Sequence, residues 1–281
     1  MKTTSKIGIG TVQFGVNYGI ANQIGQTSES EAHLILDTAQ NIGIDCIDTA
    51  FGYGNAEQVL GRYKKITSFN TISKFIDVLD PISLIAQFEQ TISNLNVSKL
   101  YGYLAHRPFQ LLEYPILWET LLTMKQQGKF DKIGYSLNTV GELEMLLEKE
   151  IIPDLVQIPF NFIDQRFKPY FSELKKYNCE IHTRSTYLQG LLLMPIEKIP
   201  EYFNSIKPLL TEVKDQTKNT QGALLKYVLN EPAVDKVILG VENNSQLIQN
   251  IEAFNGAIDI KPHEKKIPDH ILIPSLWPKT N

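Results

Sequence analysis

The chain has 281 residues, of which 43% are hydrophobic and 21% charged, and its net charge is −4, from 27 Lys plus Arg against 31 Asp plus Glu. This composition is that of an ordinary globular protein and excludes intrinsic disorder, while the scattered basic residues offer no patch for nucleic acid or an anionic membrane. No run approaches 18 apolar residues, and Met1-Lys2-Thr3-Thr4-Ser5-Lys6 leads into the short Ile7-Gly8-Ile9-Gly10 instead of an export signal, so a cytoplasmic protein is expected. Cys46 and Cys179 are too few and too far apart for a zinc pattern or a disulfide framework, and both read as buried thiols.

In chain order, Lys6 to Gly10 reads as a first strand. A loop from Gly15 to Thr27 follows, then a capping-box pattern, Ser28-Glu29-Ser30-Glu31, opening a helix with Ala32, Ile35, Leu36 and Ala39 on one face. The second strand, Ile44 to Asp48, ends on a carboxylate and turns through Gly52 and Gly54 into a helix at Glu57. The third, Asn70 to Lys74, precedes a helix whose apolar positions Leu84, Ile85, Phe88, Ile92 and Leu95 keep a 3.6 period. The fourth, Leu100 to His106, stops before Arg107-Pro108, because a proline cannot donate to a ladder.

Lys132 to Ser136, Asp154 to Ile158, Glu180 to Arg184 and Asp235 to Gly240 complete eight strands, each alternating with a helical stretch. The interval from Arg184 to Asp235 is the longest and must hold an extra loop or helix. From about Ile258 a proline-containing tail reads as an extended segment laid over the rest. Strict alternation over eight units predicts an α/β fold of one domain, residues 1–281, built as a (β/α)8 TIM barrel. The partial Gly8-Ile9-Gly10 match to a dinucleotide fingerprint lacks its third glycine and is set aside.

In such a barrel the strand ends converge on one mouth, so Asp48, Tyr53, Lys74 and His106 are expected to share a pocket. A phenol beside an ammonium is a better acid near neutral pH, a carboxylate holds that ammonium in place, and an imidazole orients a carbonyl oxygen. Each residue alone has a plainer reading, as a cap, a solvated charge or a packed ring. Four at successive strand ends favour catalysis.

With Asp48-Thr49-Ala50, Tyr53-Gly54, Glu57, Ser73-Lys74 and His106 in this order, the chain resembles the aldo/keto reductase family. Gly10-Thr11-Val12-Gln13-Phe14-Gly15, Ile133-Gly134-Tyr135-Ser136, Val156 to Asn161, Arg184-Ser185 with Leu188-Gln189-Gly190, and Gly240 to Asn250 extend the likeness from about Lys6 to Phe254. The resemblance implies metal-free carbonyl reduction with NADPH or NADH, in which Tyr53 is the acid, Lys74 and Asp48 tune it and His106 positions a small-molecule carbonyl substrate. It assigns the cofactor to Gly10, Thr11, Val12, Asp48, Ser136, Gln157, Arg184, Ser185, Leu188, Gln189, Gly240, Val241, Asn243, Gln246, Gln249 and Asn250, with the nicotinamide carboxamide on Ser136 and Gln157.

Three positions depart from the family pattern. Leu137 stands where Asn is usual, Arg184 where many members stack a Tyr, and Gly240, Glu242 and Gln246 where NADP-preferring members are often basic. An acidic Glu242 disfavours a 2′-phosphate, so weak discrimination or use of NADH is expected. The likeness of Asn17-Tyr18-Gly19-Ile20-Ala21-Asn22 and Leu188-Gln189-Gly190 to bacterial members associated with surface polysaccharides suggests, by analogy, a sugar or nucleotide-linked sugar. Two other classes stay open: a hydrolase using Asp48 with Glu57, and a cofactor-binding regulator without turnover. The sequence leaves the oligomeric state undetermined.

Overall fold

Residues 3–278 are described by a computed structural model; Met1 and Lys2 of the basic start and residues 279–281 of the tail lie outside the described residues. Eight parallel strands, β1 (Ile7–Gly10), β2 (Cys46–Asp48), β3 (Asn70–Phe75), β4 (Leu100–Ala105), β5 (Phe130–Ser136), β6 (Leu155–Pro159), β7 (Glu180–Arg184) and β8 (Lys236–Gly240), form a closed barrel in sequence order. β8 closes on β1 with Ile7 opposite Val237 and Gly10 opposite Gly240. The (β/α)8 expectation is met.

Strand boundaries differ from expectation where neighbouring structure holds the backbone. β2 starts at Cys46, not Ile44, because the Ile44 amide donates to Ala39 O and so belongs to the end of the preceding helix. β4 ends at Ala105, although the His106 amide still reaches Phe75 O at 2.9 Å, and β5 begins two residues early, at Phe130.

The helices are set by the caps their sequences carry. Pro81–Leu95 opens on a capping box between Asp80 and Ser83 with Pro81 at its first turn, and Val140–Glu148 on one between Thr139 and Glu142. The Ser28 box expected before Glu29–Asn41 is only half formed. Ser28 accepts from the Glu31 amide, but the Glu31 carboxylate reaches away to the Asn244 amide at 2.6 Å, tying this helix to the loop after β8. Ala32, Ile35, Leu36 and Ala39 are buried as expected, whereas Ile85 of the predicted apolar stripe is 39% exposed.

One core lies between strands and helices, and a small one, Cys46, Ile72, Leu104, Leu155 and Ile238, fills the lumen. The long interval after β7 holds 3-10 turns and the helices Lys207–Gln216 and Thr220–Leu229. Their apolar faces make a separate cluster that also buries Ile260, Ile271 and Leu272 of the tail, so the tail is anchored there. Both cysteines are free and buried, and burial pushes the Cys179 thiol up to about 12. Among the described residues no helix is long and apolar enough to cross a membrane.

Candidate active site

Alternation along the strands turns Asp48, Lys74 and Gln157 into the lumen at its C-terminal mouth, where they bond to one another. Lys74 Nζ lies 2.8 and 2.7 Å from the two Asp48 carboxylate oxygens and donates to Thr49 O at 2.8 Å. Gln157 Nε2 donates to Asp48 Oδ1 at 2.6 Å, a link the sequence did not suggest. With Asp48 3% exposed and Lys74 fully buried, this is a desolvated ion pair that is held by further hydrogen bonds. Burial pushes the Lys74 ammonium below its ordinary value, and Asp48 opposes it.

The Tyr53 ring sits above this pair, its centroid 5.2 Å from Lys74 Nζ and 5.5 Å from the His106 ring, the two rings edge to face at 84°. Backbone holds it there. Tyr53 N donates to Ala50 O and Ala56 N to Tyr53 O, and the turn Val12–Gly15 lies so close that a Cβ on Gly15 would stand 1.6 Å from Tyr53 O. The facing Gly54 has φ +57° and passes Gly15 O at a distance a Cβ would cut to 2.4 Å. Both positions therefore require glycine, Gly54 on two grounds.

One expectation changes. The phenol is not drawn towards phenolate, because burial and then the Asp48 charge push Tyr53 up. The group stays protonated at neutral pH, which a proton donor needs. His106 moves the other way, to about 3, through burial and then the cations Lys74, Arg184 and Arg107. Its imidazole is neutral in use.

This depression carries a stability prediction. Between pH 6.5 and about 3 the unfolded chain binds a proton at His106 that the folded chain refuses, so stability falls as the pH is lowered through that window. His263, also held down by burial, adds to it, while Glu180, lowered to about 2, acts only below pH 4.5. Urea unfolding from pH 6.5 to 5 should therefore show wild type losing about 1 kcal/mol per pH unit more than His106→Asn. Parallel slopes would refute the assignment.

The residues assigned to cofactor fall into two groups. Ser136, opposite Gln157 in the β5–β6 register, leaves its hydroxyl without a hydrogen-bond partner among the described residues, as does the Oε1 of Gln157. Arg184 at the end of β7 is fixed by Nη2 to Leu137 O at 2.9 Å and Asn138 Oδ1 at 2.6 Å, and by Nη1 to Ser185 Oγ. Gly10 and Gly240 face each other, Val241 is buried behind them and Val12 is half-buried. Gln189 donates to Tyr18 Oη at 3.0 Å in a loop where Ser185, Leu188 and Gln189 all have positive φ.

All of the second group but Gln249 are already engaged within the protein. Thr11 is buried and donates its hydroxyl to Asp48 O, holding β1 against β2. Leu188 is buried in the cluster beneath the tail. Asn250 Oδ1 accepts from Tyr187 and Gln221, each at 2.8 Å, and Asn243 caps the Gln246 amide. Gln246 and Glu242 bond each other, and Gln249 is exposed. Glu57 does not share a partner with Asp48: it accepts from Ser73 at 2.7 Å and Asn94 at 3.1 Å.

Three contributors were not foreseen. Asn138, which anchors Arg184, stands one place after the position where the family carries Asn, and that shift was the available signal. Glu31 gave a false signal as a capping box. Gln13 is 9% exposed, its Oε1 has no partner, and it lies where a Cβ on Gly240 would come within 2.9 Å. Beyond His106 opens a cavity of about 540 Å³ walled by Leu79, Phe109, Arg107, Glu113 and Glu142. Phe109 thus lines it, whereas Trp118 is packed in the core.

A closed eight-stranded barrel with a Lys–Asp pair under a tyrosine and a histidine at its mouth defines a class, and the chain belongs to the aldo/keto reductase family, whose model matches residues 6–265. Among individual proteins it is similar to the uncharacterized oxidoreductase YqkF of Bacillus subtilis (strain 168), 22% identical over 295 residues, covering 95% of this chain and 92% of that one. Two solved structures share the fold. AKR11C1 from Bacillus halodurans, solved in a holo form, has a TM-score of 0.70 at 18% identity and covers 91% of this chain and 88% of its own. PA4992, a candidate aldo-keto reductase from Pseudomonas aeruginosa, gives 0.68 at 21% identity over 88% of each.

Proposed function

We propose that the protein reduces an aldehyde or ketone to an alcohol with NADH or NADPH, using Tyr53 as proton donor. Membership of the family supports an NAD(P)-dependent oxidoreductase acting on a small carbonyl compound. The observation that carries the finer reading is Tyr53 itself, a protonated phenol held 5.2 Å from an ammonium and edge-on to a neutral imidazole.

The residues present fit the cofactor. An unpaired hydroxyl on Ser136 beside an unpaired carbonyl oxygen on Gln157 is what a ligand carboxamide needs, and the orphaned Gln13 Oε1 awaits a donor next to Gly240. When bound, NADH or NADPH supplies the hydride. His106, neutral above about pH 3, orients the carbonyl oxygen by a hydrogen bond without bringing a charge. Tyr53 then gives its proton to that oxygen as negative charge develops there, and the resulting phenolate is stabilised by Lys74. Asp48, fixed by Gln157, keeps Lys74 charged and in place.

Purified protein titrated with each cofactor, followed by the quenching of its fluorescence, tests this reading. Glu242 and Gln246 are bonded to each other, and neither offers a cation for a 2′-phosphate. NADH should therefore bind within about tenfold of NADPH, or more tightly. A strong NADPH preference would refute the role given to Glu242. Binding of neither cofactor would end the reductase reading, even though the separate partners of Asp48 and Glu57 speak against the hydrolase. The narrower sugar substrate and the cytoplasmic location are part of the same proposal, since the names of the relatives carry neither.

A further inference from the structure

We propose that the cavity beyond His106 selects carbonyl compounds whose far end is neutral or cationic, rejects those with a carboxylate or phosphate there, and does so chiefly through Glu113; this rests on the reductase reading above. The cavity's volume of about 540 Å³ suits a small organic substrate, with His106 at one end and the apolar Leu79 and Phe109 along it. Its charges are graded. At the inner end, His106 is neutral and lies beside the Lys74–Asp48 pair under Tyr53. The outer wall carries three carboxylates, Asp77, Glu113 and Glu142, against the single guanidinium of Arg107.

The carboxylates are not equivalent. Asp77, in a left-handed conformation at φ 54°, accepts from Arg107 Nη1 at 2.6 Å, so these two satisfy each other. Glu142 is 8% exposed and accepts from the amides of Asn138 and Thr139 at 2.6 and 3.0 Å. Glu113, the last residue of the helical turn Phe109–Glu113, is exposed, and no hydrogen bond or ion pair engages it among the described residues. An incoming anion would have to displace Asp77 from Arg107 and still face Glu113. A cationic or hydrogen-bond-donating group meets an acceptor already in place.

The test is kcat/KM for three aldehydes of one shape: 4-formylbenzoate, its methyl ester and 4-(trimethylammonio)benzaldehyde. Wild type should favour the cation over the carboxylate by a factor that Glu113→Gln lowers roughly sevenfold to fiftyfold, mainly in KM, because the attraction of one and the repulsion of the other, each about threefold to sevenfold for unit charges about 7 Å apart at a dielectric of about 40 to 80, are lost together. Comparing ratios between variants cancels the intrinsic reactivity of the aldehydes. Glu113→Lys should lower the ratio further, and added salt should weaken the wild-type preference. A wild-type preference for the carboxylate, or a ratio that Glu113→Gln leaves unchanged, would overturn the proposal. Turnover of none of the three with either cofactor would overturn the reductase reading and this inference with it. Turnover of the ester separates the two failures, since it requires the Tyr53 site and carries no charge for Glu113 to sense.

Discussion

Tyr53→Phe should lower carbonyl reduction by about 10²- to 10⁴-fold while leaving cofactor affinity close to that of wild type. The change removes one hydroxyl and little volume, and it keeps the ring that packs edge-on to His106. The loop should hold its shape, because Tyr53 is positioned through its own amide and carbonyl and through the close approach of Gly15 and Gly54. Single-turnover reduction with cofactor in excess isolates the chemical step, and fluorescence titration reports binding. Turnover near the wild-type rate would remove Tyr53 from the mechanism; loss of binding and turnover together would make its role structural.

Lys74→Met should destabilise the fold by roughly 3–5 kcal/mol. The penalty comes less from the lost attraction than from what remains, a carboxylate 3% exposed with Gln157 as its one remaining side-chain donor among the described residues. The same reasoning predicts a rescue. In Asp48→Asn/Lys74→Met neither charge is buried, and the pair should recover a large part of the loss although each change touches the same site. Urea unfolding of the wild type, both single variants and the double variant closes the cycle. If the double variant is as unstable as the sum of the singles, the two side chains are not coupled and the ion pair does not hold the mouth together.

What the sequence revealed of this barrel depended on the range of each signal. Strand ends were legible within a residue or two because Asp48, Lys74, His106, Ser136, Gln157 and Arg184 each close an apolar run, and among the strand starts only those of β2 and β5 moved by as much as two residues. The tetrad was legible because its residue types and order are unusual together. Contacts across the barrel were not. Gln157 reaches Asp48 from four strands away, and Glu31, which has the spacing of a capping partner, prefers a backbone amide after β8. Nothing local distinguishes Asn250, held by Tyr187 and Gln221, from an asparagine free to meet a ligand. The direction of the Tyr53 shift was also hidden, since it depends first on how deeply the phenol is buried and then on the nearby Asp48 charge.

The closed register of the barrel has a consequence for how the protein comes into being. The proton donor, its ion pair and His106 all lie between Asp48 and His106, whereas Gln157 and the segment around Gly240 are made later on the ribosome. A nascent chain can bring Lys74 to Asp48 while both are still wet, and the pair is sealed from water only once β6 is in place and β8 has met β1. Reactivity is therefore the last property this chain acquires in synthesis, long after every residue that performs the proton transfer has been made.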